Sequence, residues 1–204
     1  MKALIRSPRR RKFLRPDRAF TLMELLVTIT IIAILLGIAI PAISAITRGV
    51  QKSVAHQAAT ELKNATGTYY TEYRRYPTRT TGPEDADSPI LSDTALMDVL
   101  LASTRETGPS GLCPRGKSFY TGRKAQPIGD GKYKSGILYD STGGGTLWDP
   151  WGGHYRVVFD LNYDGKVPAP SFVTGTPFLS GGVIVWSAGK DGLDDETKDN
   201  VVTW

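Results

Sequence analysis

The chain has 204 residues, 25 Lys and Arg against 20 Asp and Glu for a net charge of +5, two His and a single Cys. One Cys, Cys113, excludes an intramolecular disulfide, and His56 and His154 fall in neither a His-Glu-x-x-His nor a Cys/His pattern, so the familiar zinc motifs are absent. A basic balance raises nucleic-acid binding as a possibility, but the first nineteen residues hold eight of the basic side chains and one acid, leaving 17 basic and 19 acidic residues in the rest; no nucleic-acid partner is expected.

The basic head is followed by residues 25–47, none of which is charged. A run of that length is enough to cross a bilayer as a helix. It is too long for the apolar core of an ordinary secretory signal, and Ala42-Ile43-Ser44 beyond its middle is a poor small-residue cut site. A plain signal anchor explains the basic head and the apolar run. It does not explain Phe20-Thr21-Leu22-Met23-Glu24 at the junction, or Pro41 inside the span. A carboxylate such as Glu24 at the edge of a membrane helix is costly, so a partner is expected for it. The excess of Lys and Arg before the span places the amino end in the cytoplasm and the body outside it.

Helical periodicity continues past the span. Val50, Val54, Ala58, Leu62, Ala65 and Tyr69 recur at three to four residues, with Arg48, Lys52, Gln57, Glu61 and Lys63 between them, the pattern of a helix buried on one side. Tyr76-Pro77 supplies a stop. A helix from 20 to about 76 would run roughly 85 Å. Four segments follow: a leader over 1–19, a membrane or filament-core helix over 20–47, an amphipathic continuation over 48–76, and a head over 77–204. In the head, 78–93 reads as loop and 94–103 as a short helix capped by Asp93. Strands are expected at Gly136-Ile-Leu-Tyr139, Tyr155-Arg-Val-Val-Phe159 and Gly182-Val-Ile-Val-Trp186, with the remainder of 108–145 turn-rich and unassigned. A few strands alone are marginal, so packing on the long helix should complete the core. The fold class is α+β.

Two acidic clusters stand out. Asp160-Leu-Asn162-Tyr-Asp164-Gly165 has the opening of an EF-hand loop, but Ser171 takes the place of its last carboxylate and no helices flank it; a tight Asx-Gly turn gives the same composition and is the preferred reading. Residues 187–200 gather Asp191, Asp194, Asp195, Glu196, Asp199 and Asn200, oxygen donors of the kind a hard cation takes or, alternatively, a solvated turn. The runs Gly143-Gly144-Gly145 and Gly181-Gly182 lack a phosphate-loop Lys-Ser/Thr and read as turns. No catalytic constellation emerges, so an enzyme is not expected. Cys113 is expected to be a partly buried apolar residue.

Phe20-Thr21-Leu22-Met23-Glu24-Leu25-Leu26-Val27 resembles the start of a mature type IV pilin or type II secretion pseudopilin. The resemblance implies that a prepilin peptidase cuts between Ala19 and Phe20 and methylates the new amino terminus. The family prefers Gly before the cut; Ala19 stands there. Glu24 occupies the place of the family's carboxylate, and Pro41 that of a frequent helix proline. Asp149-Pro150-Trp151-Gly152, Ser187-Ala188-Gly189-Lys190-Asp191-Gly192 and Asp199-Asn200-Val201 with Trp204 resemble, in order, segments of major (G-type) pseudopilins.

That resemblance implies a calcium ion in the last loop, held by the Asp191 and Asp199 side chains, the Asn200 amide oxygen, carbonyls and Ser187. Asn200 stands where the family often has Asp. It also implies a periplasmic head on a single-pass inner-membrane anchor. The expected partners are further copies of the chain, minor pseudopilins and an inner-membrane assembly platform, in a filament that drives protein export. Two other readings stay open: a type IV pilus or competence minor pilin, and a membrane-anchored extracytoplasmic binding module that does not polymerise.

Overall fold

The structure, a computed structural model, describes residues 20–80, 84, 87–195 and 199–204. The chain divides into two compact units, Met1–Ala45 and Ile46–Trp204. One helix, α1 (Leu22–Tyr73), contributes to both. In its apolar part α1 is long and apolar enough to cross a membrane, and none of that window is buried among the described residues. Leu22, Leu36 and Ile38, for example, are all exposed.

In the second unit the same helix becomes the spine of the core. Ala55, Ala59, Leu62, Thr66 and Tyr69 are buried at alternating steps of four and three, which keeps them on one face. Val50, expected in this stripe, is exposed instead; it lies one turn before the first covered position, so periodicity continued where cover did not. The helix ends at Tyr73, three residues earlier than the Tyr76-Pro77 stop. Arg74 takes the left-handed conformation (φ 55°) and donates its N–H to the Tyr70 carbonyl at 2.7 Å, a helix-terminating geometry. Tyr76 then turns inward and stacks on Phe159 at 5.0 Å between ring centroids. Burial pushes its hydroxyl up to about 12.

The strands are β1 (Ile90–Leu91), β2 (Gln126–Gly129), β3 (Lys132–Lys134), β4 (Gly136–Tyr139), β5 (Gly145–Trp148), β6 (Arg156–Phe159), β7 (Lys166–Pro168), β8 (Phe178–Ser180), β9 (Val183–Ser187) and β10 (Val201–Val202). A four-stranded antiparallel sheet runs β1-β6-β9-β10, and β2–β3, β4–β5 and β7–β8 form two-stranded pairs. The α+β class is thus a long apolar helix with a small antiparallel sheet. All five residues of β9 are buried, so both faces of the sheet are covered. Val157, Phe159, Val183 and Val185 join Leu62, Ala65 and Tyr69 in the main cluster, while Val158, Ile184 and Trp186 form a second cluster with Val167 and Phe172. Strand alternation sorts these residues to opposite faces.

The second helix, α2 (Thr94–Leu100), begins as expected, with the Asp93 carboxylate accepting the Ala95 N–H at 3.0 Å. It stops at Leu100, short of 103. Ser92 just before it is fully buried and joins three elements: its hydroxyl donates to the Leu147 carbonyl at 2.9 Å and accepts the Tyr155 N–H at 2.8 Å. Arg105 ties α2 to the β4–β5 turn, with Nη2 at 2.8 Å from Asp98 and 2.5 Å from Asp140. Cys113 is completely buried and forms no disulfide.

Residues 160–165 form the turn that composition favoured. Asp160 accepts the N–H groups of Asp164 (3.1 Å) and Gly165 (2.8 Å), and Asn162 and Asp164 each accept the N–H two residues on. The last two are Asx-turn contacts, and Gly165 has φ 79°.

Candidate functional site

Two regions carry the chemistry singled out in the sequence, and they lie in different units. Ala19 falls outside the described residues. Phe20 is 84% exposed, and α1 begins two residues later. Thr21 and Glu24 form a reciprocal capping box. The Thr21 hydroxyl accepts the Glu24 N–H at 3.2 Å, while Glu24 Oε2 accepts the Thr21 N–H at 2.9 Å and its hydroxyl at 3.0 Å. Glu24 therefore already does one job inside its own chain, satisfying orphan donors at the helix start. The hydrogen bonds leave its charge uncompensated by any cation and its Oε1 free among the described residues.

The second region begins where β9 ends. Ser187 is fully buried and donates to Asp149 Oδ2 at 2.6 Å. Asp149, 1% exposed, also accepts the N–H groups of Trp151 (2.9 Å) and Gly153 (2.8 Å) through Oδ1. The Asp-Pro-Trp-Gly segment is thus an Asx-type turn whose carboxylate reaches across to the last loop. Gly152 there has φ 93°, and a side chain on Gly153 would meet Asp149 Oδ2 at 3.0 Å.

Within the loop, Asp199 Oδ2 accepts the N–H groups of Lys190 (2.8 Å) and Asp191 (3.2 Å), and Asp191 Oδ1 accepts that of Leu193 (3.0 Å). Gly189 has φ 71°, and any Cβ on it would fall 2.5 Å from the Asp199 carbonyl oxygen. The close approach of the two ends of the loop requires glycine at that point. Asp194, whose role was open, is committed elsewhere: it accepts the Trp186 indole N–H at 2.9 Å and pairs with Arg156 Nε at 2.5 Å. Arg156 also donates to the Gly192 carbonyl. Asp195 is exposed, and Glu196 lies outside the described residues.

The residues named for calcium therefore separate. Asp191, Asp199 and Asn200 are in one loop, whereas the Ser187 hydroxyl serves Asp149 and the Gly189 N–H. Asn200 is the telling one. Both its side-chain oxygen and nitrogen are buried without a hydrogen-bond partner among the described residues, an arrangement that costs free energy unless something else meets them. Asp191 Oδ2 and Asp199 Oδ1 also accept no hydrogen bond there. Among the described residues no three His, Cys, Asp or Glu side chains converge as a metal group, so amide and carbonyl oxygens would have to complete a shell. That donor set fits calcium, which takes mixed carboxylate, amide and carbonyl oxygens.

Sequence reasoning quoted Asp149 only as part of a motif, and it missed the Arg156–Asp194–Trp186 link. An Asp before Pro-Trp-Gly signals an Asx turn; nothing local signals the second link.

Residues 14–40 match the family model described as the prokaryotic N-terminal methylation motif. No curated protein and no solved structure gives a match. The motif indicates a type IV pilin-like substrate of prepilin peptidase and implies pilus-type assembly. The apolar part of α1 is compatible with a single-pass membrane anchor.

Proposed function

We propose that the chain is a subunit of a type II secretion pseudopilus, cut between Ala19 and Phe20, methylated on Phe20 and polymerised from the inner membrane to drive protein export. The observation that carries this reading is the methylation motif over 14–40 at the head of a helix able to cross a membrane. The basic leader keeps the amino end inside, and the head lies in the periplasm. Minor pseudopilins and an inner-membrane platform are its assembly partners. The Asp-Pro-Trp-Gly turn and the last loop, joined through Asp149 and Ser187, support secretion over a pilus.

In the filament, copies associate head to tail in an open helical array. Glu24 of one copy pairs with the Phe20 amino group of its neighbour, using the carboxylate oxygen that the capping box leaves open. Removing one member of a buried pair costs about 3–5 kcal/mol, which enforces stagger even where the net gain is small. A calcium ion held by Asp191, Asp199 and Asn200 with nearby carbonyls stiffens the last loop, for which the chain has no disulfide.

The test is coexpression with a prepilin peptidase, followed by intact mass and electron microscopy of sheared filaments. A product beginning at methylated Phe20 that forms thin filaments supports the reading. An unprocessed chain, or a processed one that stays monomeric in membranes, overturns it.

A further inference from the structure

A cavity of about 270 Å³ in the second unit lies between residues 54–61 of α1 and the 120–123, β4 and β5 segments. That volume is just below the usual range for drug-sized ligands and suits a smaller molecule. Its lining differs from ordinary core. Tyr155 and Tyr120, 1% and 4% exposed, bring two phenols to it. Trp148 lines it too, and its indole Nε1 is buried with no partner. The Trp148 ring is fixed by His154, 4.4 Å away between centroids. Native proteins rarely leave a buried donor of this kind idle.

The charges around these groups are of both signs. Glu61 and Arg123 line the same cavity, and no ion pair engages either among the described residues. Glu61 accepts only the Gln57 amide, at 2.9 Å. Burial is the first cause that holds both tyrosine hydroxyls above their ordinary pKa, so they are protonated donors at neutral pH; each also senses Glu61 and Arg123. The tyrosine faces are too covered to stack on a sugar ring, so recognition falls to hydroxyls, the indole N–H and the two charges.

We propose that this cavity binds a small zwitterion of the amino-acid class, with its ammonium toward Glu61 and its carboxylate toward Arg123 and the Trp148 indole N–H. Both charged side chains are exposed to solvent, and a zwitterion is the solute that meets the two at once. Binding there bridges α1 to the β4–β5 pair and so couples solute level to the rigidity of the head. This inference is independent of what the chain assembles into.

The test uses the full chain in detergent micelles, labelled with ¹⁵N. The Trp148 indole resonance is assigned with Trp148→Phe, and pools of the twenty L-amino acids are added at about 1 mM each, with propionate and propylamine as controls. The expected result is a saturable shift of that resonance by at least one amino acid and by neither control. Glu61→Gln and Arg123→Gln each weaken the response by roughly tenfold or more, while the Trp186 and Trp204 resonances report an intact fold. A resonance unmoved by every pool overturns the proposal, with water alone meeting the indole. So does an equal response to propionate or propylamine, or a shift that survives both substitutions.

Discussion

The Ser187 hydroxyl donates to Asp149 at 2.6 Å, across a separation of 38 positions in the chain and with both side chains buried. One hydrogen bond thus fastens the end of β9 to the turn that follows β5. Asp149 spends its other oxygen on the N–H groups of Trp151 and Gly153, so the carboxylate is satisfied only while Ser187 is present. Ser187→Ala leaves Asp149 Oδ2 buried and unpaired, and the expected loss is about 1–3 kcal/mol. At about 2–4 °C per kcal/mol for a domain of this size, melting followed by near-ultraviolet circular dichroism resolves it. A melting point equal to wild type would show that the bond carries no weight.

The orphaned amide of Asn200 makes the calcium proposal measurable. Chelator should lower the melting temperature of the full chain in micelles, and added calcium should restore it in proportion to concentration. Asn200→Ala removes the unpaired groups and should abolish the calcium response while costing little in chelator. Asn200→Asp adds a charge and should tighten binding. Identical melting curves with and without calcium, and no bound ion by elemental analysis, refute the site.

Capping and charge can be separated at Glu24. Gln serves in a capping box as Glu does, so Glu24→Gln keeps the bonds to Thr21 and removes only the charge. The expectation is normal membrane insertion and leader removal with loss of filaments for both Glu24→Gln and Glu24→Ala. Filaments formed by Glu24→Gln at the wild-type level would assign the residue to helix capping alone, and the pairing with Phe20 would be wrong.

Asp140 gives an acid-side prediction. Hydrogen bonds from Thr142 first, then from Arg105, hold its carboxyl well below the usual range, at about 2. A carboxylate depressed in the folded state stabilises it above the unfolded value near 4, and that contribution is lost as pH falls to about 2. Asp140→Asn should therefore melt lower than wild type at neutral pH, with the gap closing between about pH 4 and 2. A gap independent of pH across that window would exclude the carboxylate charge as its source.

The long helix, α2 with its Asp93 cap, and β4, β6 and β9 were legible because strong local signals agree with the tertiary outcome: apolar periodicity, an N-cap, and β-branched runs between turns. The pairs β2–β3 and β7–β8 were not. Gln126-Pro-Ile-Gly129 and Lys166-Val-Pro168 contain residues that discourage strands, and Lys132-Tyr-Lys134 and Phe178-Leu-Ser180 are too short to show alternation. β1 exists because β6 offers it a partner. At the amino end the sequence displayed Glu24, and the Thr21-x-x-Glu24 spacing was sufficient to foresee its capping partner. In the last loop the acidic residues were visible but their division of labour was not. Asp194 belongs to Arg156 and Trp186 because β6 and β9 are adjacent, a neighbourhood that no local pattern encodes.

The main sheet is bounded by β1 and β10, each two residues long. Unsatisfied backbone along a sheet margin is what lets one β protein zip onto the next, and a two-residue margin offers too few contacts to hold an intruding chain. At its main sheet, the head therefore gives a neighbouring chain little edge to pair with.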